Sequence, residues 1–178
     1  MTSSPQIYWI TGLPASGKTT LAQALVKALH AGGRHAYLLD GDELRQGLCA
    51  DLGMSQADRR ENIRRAGEVA RLLARAGVTV VCAFISPYAA DRRQVRALFA
   101  PGQFIEIHLS TALEECVRRD PKGLYARAKA GEIHGLTGWD APYEPPLTPE
   151  FRFDTQAVDI LQMMRTLDMD QASPPTKM

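Results

Sequence analysis

Residues Gly12-Leu13-Pro14-Ala15-Ser16-Gly17-Lys18-Thr19 satisfy G-x-x-x-x-G-K-[ST] at every fixed position. No other stretch constrains the fold as tightly, because this pattern works only between a strand and a helix. The flanks meet that condition. Ile7-Tyr-Trp-Ile-Thr11 is a short β-branched and aromatic run, and a helical pattern over 17–31 follows, ending at Gly32-Gly33. The glycines admit a close backbone approach that a Cβ would block. Successive N–H groups and the helix N-terminus then face a chain of phosphates. Lys18 is placed to reach β and γ oxygens and the Thr19 hydroxyl to ligand Mg²⁺, with ATP or GTP as the nucleotide. The expected nucleotide-binding residues are thus Gly12, Leu13, Pro14, Ala15, Ser16, Gly17, Lys18, Thr19 and Thr20.

Further apolar runs follow at Ala36–Leu39, Val78–Ile85, Phe104–Leu109 and, more weakly, Phe151–Phe153, separated by helical patterns over 55–76, 88–99, 111–119 and 155–167. Near-continuously apolar strands alternating with helices specify a parallel sheet covered on both faces. The fold class is therefore α/β: a three-layer P-loop NTPase sandwich with a five-stranded parallel sheet flanked by helices. In the 55–76 helix, Ser55 is the expected N-cap with Asp58 three residues on, and Ile63, Ala66, Ala70, Leu73 and Ala74 build one apolar stripe. Glu61 and Arg65 pair at i,i+4, and Gly77 supplies the stop. Residues 120–150, rich in Gly, Pro and Lys with a short helix at 122–131, break the alternation and read as a mobile lid over about 120–146. Residues 1–167 read as one domain and 168–178 as a frayed tail.

Net charge is only +1, so no nucleic-acid polyanion is expected as a partner, and any anion site must arise from local placement of Arg and Lys. Three scattered cysteines, Cys49, Cys82 and Cys116, and four dispersed histidines show no disulfide or zinc spacing. Cys82 reads as a small core residue. No apolar stretch approaches a membrane span and the first residues lack a signal-peptide core, so no membrane partner is expected and the chain reads as cytoplasmic.

Asp40-Gly41-Asp42-Glu43-Leu44-Arg45 ends the second apolar run. In a parallel sheet the strand C-termini open onto the binding crevice, which brings two carboxylates near the phosphate cradle. One can hold Mg²⁺ and the other can accept a proton from an attacking hydroxyl. Asp42 is the expected base; Asp40 is nearer the strand and more structural, and Thr19, Asp40 and Asp42 are the expected metal-side residues. The same residues also suit a turn at Asp40-Gly41 and an Asp42 N-cap for a helix at 43–49, a compatible reading. Arg45, Arg59, Arg60, Arg64 and Arg65 follow as a dense guanidinium cluster, suited to phosphate and sulfate because the planar fork binds two oxygens. Arg60 and Arg65 read better as the solvated face of the helix.

Together these pieces resemble the adenylylsulfate kinases. The matching blocks are GLPASGKTT at 12–20, LDGDELR at 39–45, DLGMSQADRRENIRR at 51–65, FISPY at 84–88, RDPKGLYARAKAGEI at 119–133 and LTGWDAPYEPP at 136–146. The resemblance implies transfer of the γ-phosphoryl of ATP to the 3′-hydroxyl of adenosine 5′-phosphosulfate. It places Asp42 beside the reacting hydroxyl, Arg45, Arg59 and Asn62 on the phosphosulfate and nucleoside, and the backbone around Ile85 near the acceptor adenine. Arg119 falls with the nucleotide, Lys122 opens the lid, and Ser86 stands where the family's serine is described as a phosphoserine intermediate. An activated serine wants an adjacent base, however, and no histidine is near in sequence, so Ser86 equally suits metal, phosphate or a helix cap. The resemblance also implies a homodimer, and an association with an ATP sulfurylase would be non-covalent. Two positions depart from the family: Met54 and Leu136 stand where Phe commonly sandwiches the adenine. They keep open a related kinase for another phosphorylated nucleotide. An ATP-binding module without an acceptor is the other reading, one that intact Lys18, Thr19, Asp42 and Lys122 oppose. Trp9 is expected in the core, Trp139 in the lid, and Tyr125 and Tyr143 as lid pins.

Overall fold

The computed structural model describes residues 5–171. In chain order the elements are β1 (Ile7–Gly12), α1 (Lys18–Ala31), β2 (Ala36–Asp40), α2 (Gly41–Gln46), α3 (Gln56–Arg75), β3 (Thr79–Ala83), α4 (Ala89–Arg96), β4 (Phe104–Leu109), α5 (Leu113–Arg119), α6 (Leu124–Lys129), β5 (Phe151–Phe153) and α7 (Ile160–Gln171). The strands form one sheet in the order β2-β3-β1-β4-β5, and every pairing is parallel. β1 is central, with β3 and β4 on either side, so the strand order reverses where the phosphate motif leaves the sheet. That reversal opens a crevice at the strand C-termini.

Two apolar layers cover the sheet. On one face Ile7, Trp9, Val80, Cys82 and Phe104 pack with Ile63, Ala66 and Ala70 of α3 and Val95 of α4. On the other, Tyr8, Ile10, Val81 and Ile107 pack with Leu21 and Leu25 of α1 and Met163 and Leu167 of α7. Period-2 alternation along β1 thus sends odd residues to α3 and even ones to α1, as a strand buried on both faces requires. A third cluster lies outside the sheet: Cys116, Tyr125, Ala128 and Leu136 pack against Leu13 and Ala15. It seats the 120–146 segment on the phosphate motif.

Local signals act as read from the sequence in most places. Ser55 Oγ accepts from the Asp58 N–H at 3.1 Å and donates to the Asp58 carboxylate at 2.6 Å. Gly77, at φ 86°, ends α3. Trp9 and Cys82 are fully buried, as expected. Three expectations need correction. The last helix starts at Ile160 rather than 155, because Asp154 closes a turn on Gln156 and Asp159 caps the helix by accepting from Gln162 N–H at 2.8 Å. The run 78–85 is strand only over Thr79–Ala83, since Ser86 takes φ 39° ahead of Pro87 and the Ile85 carbonyl turns to the Thr11 hydroxyl. The helix after β2 is capped by Asp40, which accepts from Asp42 N–H at 2.9 Å; Asp42 is already inside it. The expected tail begins within α7, and 172–178 lie outside the described residues.

Candidate active site

The phosphate motif leaves β1 through a turn that admits little but glycine at its ends. A Cβ on Gly12 would lie 2.8 Å from the Leu109 carbonyl and 2.8 Å from Ser16 Oγ, and Gly17 sits at φ 97°. Lys18 follows as the first residue of α1, and its ammonium donates to the carbonyls of Gly12 at 3.0 Å and Leu13 at 2.6 Å. Burial lowers its pKa to about 8. Thr19 donates to Asp40 Oδ2 at 3.0 Å. Behind the loop, Thr111 and Thr155 share a 2.7 Å hydrogen bond. Arg119 donates to Thr155 Oγ1 at 2.7 Å and to Glu115 at 2.7 Å.

A cleft of about 1340 Å³ opens in front of this loop and gathers the residues expected from the sequence. Pro14, Ala15, Gly17, Lys18, Thr19, Thr20 and Arg119 line one wall; Arg45, Met54, Arg59 and Asn62 line the other, and Asp40, bonded to Thr19, and Asp42 lie between them. Ile85 and Ser86 form part of the floor, and Lys122 and Leu136 reach in from the lid. Gly12, Leu13 and Ser16 lie behind the lining: Ser16 is fully buried, and Leu13 packs into the lid cluster.

The opposite wall differs from expectation in how its cations are used. Arg45 donates to the Gly53 carbonyl at 3.0 Å, holding the 47–55 turn. Arg59 donates to Met54 O at 2.9 Å, Thr137 Oγ1 at 2.9 Å and Gly135 O. Three of the five guanidinium N–H groups are thus engaged, two of them joining α3 to the lid, and two remain for a ligand. Arg64 and Arg65 pair with Glu61, and Arg65 also with Asp51, while Arg60 meets buried Asp91 at 3.2 Å. Asn62 is 6% exposed and its Oδ1 lacks a hydrogen-bond partner among the described residues. A buried acceptor without a donor is costly, so a ligand N–H or O–H at this wall would relieve it.

The Asp42 carboxylate, on the first turn of α2, pairs with the Lys122 ammonium from the lid. Ser86, left open between a covalent role and a metal, phosphate or capping role, is 1% exposed, and its Oγ accepts from the Trp9 indole at 3.1 Å. Leu136 is also largely withdrawn, packed with Tyr125 and Cys116, whereas Met54 is 56% exposed at the rim. The two tyrosines do pin the lid: Tyr125 donates to Pro14 O at 3.1 Å, and Tyr143 shares a hydrogen bond with Thr11 at 3.0 Å. Thr155 and Arg92 went unread in the sequence. Thr155 follows the end of β5, and the rule that strand ends face the crevice would have found it; Arg92 carries no local signal.

Among the described residues no three His, Cys, Asp or Glu side chains form a metal cage, and no helix is long and apolar enough to cross a membrane. A hydroxyl beside two carboxylates is nonetheless a hard-oxygen donor set, which suits Mg²⁺ shared with phosphates. All three cysteines are buried and unpaired.

Comparison with known proteins matches this arrangement. The family model described as adenylylsulphate kinase covers residues 4–154. The adenylyl-sulfate kinase of Shewanella pealeana is 55% identical over 164 residues, spanning 92% of this chain and 80% of that protein. That of Marinobacter nauticus is 58% identical over 151 residues, 85% of this chain and 76% of that one. The structure of the Mycobacterium tuberculosis APS kinase CysC, in complex with AMPPNP and APS, superposes with a TM-score of 0.89 at 44% identity, covering 95% of this chain and 99% of that chain. By the extent of the match in sequence and in shape, the chain belongs to the adenylylsulphate kinase family.

Proposed function

We infer that this chain is an adenylyl-sulfate kinase, transferring the γ-phosphoryl group of ATP to the 3′-hydroxyl of adenosine 5′-phosphosulfate. The observation that carries the reading is one cleft with two unlike walls. A backbone cradle with Lys18 faces a wall carrying Arg45, Arg59 and the unpartnered Asn62 acceptor, and Asp42 stands between them. In this reading ATP lies on Gly12–Thr20, its base towards Arg119. The acceptor lies across Arg45, Arg59 and Asn62, its adenine over the Ile85 backbone. Asp42 takes the proton of the 3′-hydroxyl as the oxygen attacks the γ-phosphorus and the bond to ADP breaks. Lys18 and Lys122 offset the charge that develops on the transferring group. Thr19, Asp40 and Asp42 would hold Mg²⁺ when it is bound, where it neutralises β and γ oxygens. Closure of the 120–146 lid excludes water from the reacting phosphoryl group. Ser86 is assigned no covalent role, because its hydroxyl already serves Trp9. A homodimer, and an association with an ATP sulfurylase, belong to the same reading.

A coupled ADP-release assay tests it. Turnover requires adenosine 5′-phosphosulfate and is negligible with AMP; ATP consumption that ignores the acceptor defeats the reading. Met54 gives a finer check. Placing a ring at this exposed rim position should add a base stack, roughly 1–3 kcal/mol. Met54→Phe is therefore expected to lower the acceptor KM about tenfold at unchanged ATP KM. A rise instead would mean that Met54 faces away from the base.

A further inference from the structure

Behind the cleft floor, and outside its lining, lies a buried polar network that the chemistry above does not use. Its centre is Arg92 of α4, with a side chain 3% exposed. The three guanidinium nitrogens go to three different elements: Nε donates to Glu106 of β4 at 2.9 Å, one terminal nitrogen to the Ser86 carbonyl at 2.6 Å, and the other to the Glu144 carbonyl at 2.6 Å. The guanidinium also lies 5.9 Å from the centre of the Tyr143 ring. Glu144 is fastened twice more, its N–H to Pro87 O at 2.8 Å and its carboxylate to Ala89 N–H at 2.7 Å. Tyr143 shares its hydroxyl with Thr11 Oγ1 at 3.0 Å, and Thr11 donates to the Ile85 carbonyl at 2.6 Å.

The Ile85-Ser86-Pro87 turn is therefore held from behind at two consecutive carbonyls, Ile85 through Thr11 and Ser86 through Arg92. It needs holding, since Ser86 sits at φ 39°, a conformation that residues bearing a Cβ seldom keep unless their surroundings impose it. The same two side chains anchor the point where the lid returns to the body of the protein. The floor under one nucleotide and the end of the lid over it are fixed by one fork.

We propose that Arg92 is a positioning residue for the acceptor nucleotide. It sets the 85–87 floor and the 143–144 lid anchor in register, and Tyr143 acts with it through Thr11. The proposal rests on the assignment of that floor to the acceptor. A role in stability alone would affect both substrates equally; positioning of the floor affects the acceptor.

The test is steady-state kinetics on Arg92→Lys and Tyr143→Phe, with the KM of ATP and of adenosine 5′-phosphosulfate measured separately, below the melting temperature of each variant. Lysine keeps the charge beside Glu106 but has no planar fork with which to bind three elements. Small displacements at a positioning site can cost up to about a hundredfold. Arg92→Lys is expected to raise the acceptor KM about tenfold with the ATP KM within about twofold. Tyr143→Phe, which removes one hydroxyl and keeps the ring, should raise the acceptor KM about threefold with ATP again unaffected. Parallel changes in both KM values, or no acceptor effect in Tyr143→Phe, overturn the proposal. If Arg92→Lys does not fold, Tyr143→Phe decides alone. A wild-type chain that does not use the sulfated nucleotide removes the functional reading and this inference with it. A wild type that turns over normally beside variants with parallel KM changes removes only the inference.

Discussion

Lys18→Ala is expected to reduce kcat for phosphoryl transfer by about 10²–10³-fold, the cost of removing one preorganised donor from developing charge. Lys18 opens α1 beside the Gly12 and Leu13 carbonyls, so its ammonium is already at the mouth of the cradle when the nucleotide arrives. Loss of the side chain should leave the fold intact, because α1 is held by Leu21, Ala22, Leu25 and Leu29 in the core. A circular dichroism melt close to that of the wild type would therefore accompany the catalytic loss. A pH signature distinguishes this role from simple loop support. The free protein's Lys18 has a pKa lowered to about 8. Phosphates bind the charged form and raise that pKa, so ATP affinity is fully present below about pH 8 and falls as pH rises through it. Calorimetric titration at pH 7 and pH 9 should show weakening in the wild type and none in Lys18→Ala. Substantial turnover by the alanine variant would remove Lys18 from the mechanism.

Asp42→Asn is expected to lower kcat by about 10²–10⁴, the range of a positioned general base, with little change in the acceptor KM. The neighbouring carboxylate supplies the control. Asp40, not Asp42, caps α2 and accepts from Thr19, so Asp40→Ala should lower the melting temperature, the loss of an N-cap costing about 1 kcal/mol. Asp42 is solvent-facing and meets Lys122 at the cleft mouth. Its replacement should leave the melting temperature nearly unchanged while abolishing most turnover. Should Asp42→Asn retain more than a tenth of wild-type kcat, the proton is taken elsewhere.

Features set by short-range pattern could be read before the fold was in view. The phosphate motif, the stripe on α3, the Ser55 cap and the Gly77 stop each depend on neighbours within a few residues. The five strands were legible because each is a short apolar run between helices. The N-cap was read at Asp42 instead of Asp40 for a local reason: both residues suit an N-cap, and only the true helix start chooses between them. Long-range polar ends were not legible. Trp9 and Ser86 are 77 residues apart, and Arg59 lies 76 and 78 residues from its lid partners Gly135 and Thr137. Periodicity reports the face of a helix on which an arginine lies. It does not report which carbonyl, brought in by a distant crossover, ends the side chain's reach. Arg59 therefore read as an anion clamp alone, although it also ties α3 to the lid, and Arg92 went unread.

The sheet is packed by two separate apolar layers, and the helix bearing Lys18 rests on one while the helix bearing Arg59 and Asn62 rests on the other. In the proposed reading each nucleotide thus has its own foundation, with the sheet between them. Substitutions that reshape the α3 side can accumulate without disturbing the ATP cradle, so a scaffold of this kind can change what it phosphorylates over evolutionary time while keeping the same phosphate donor.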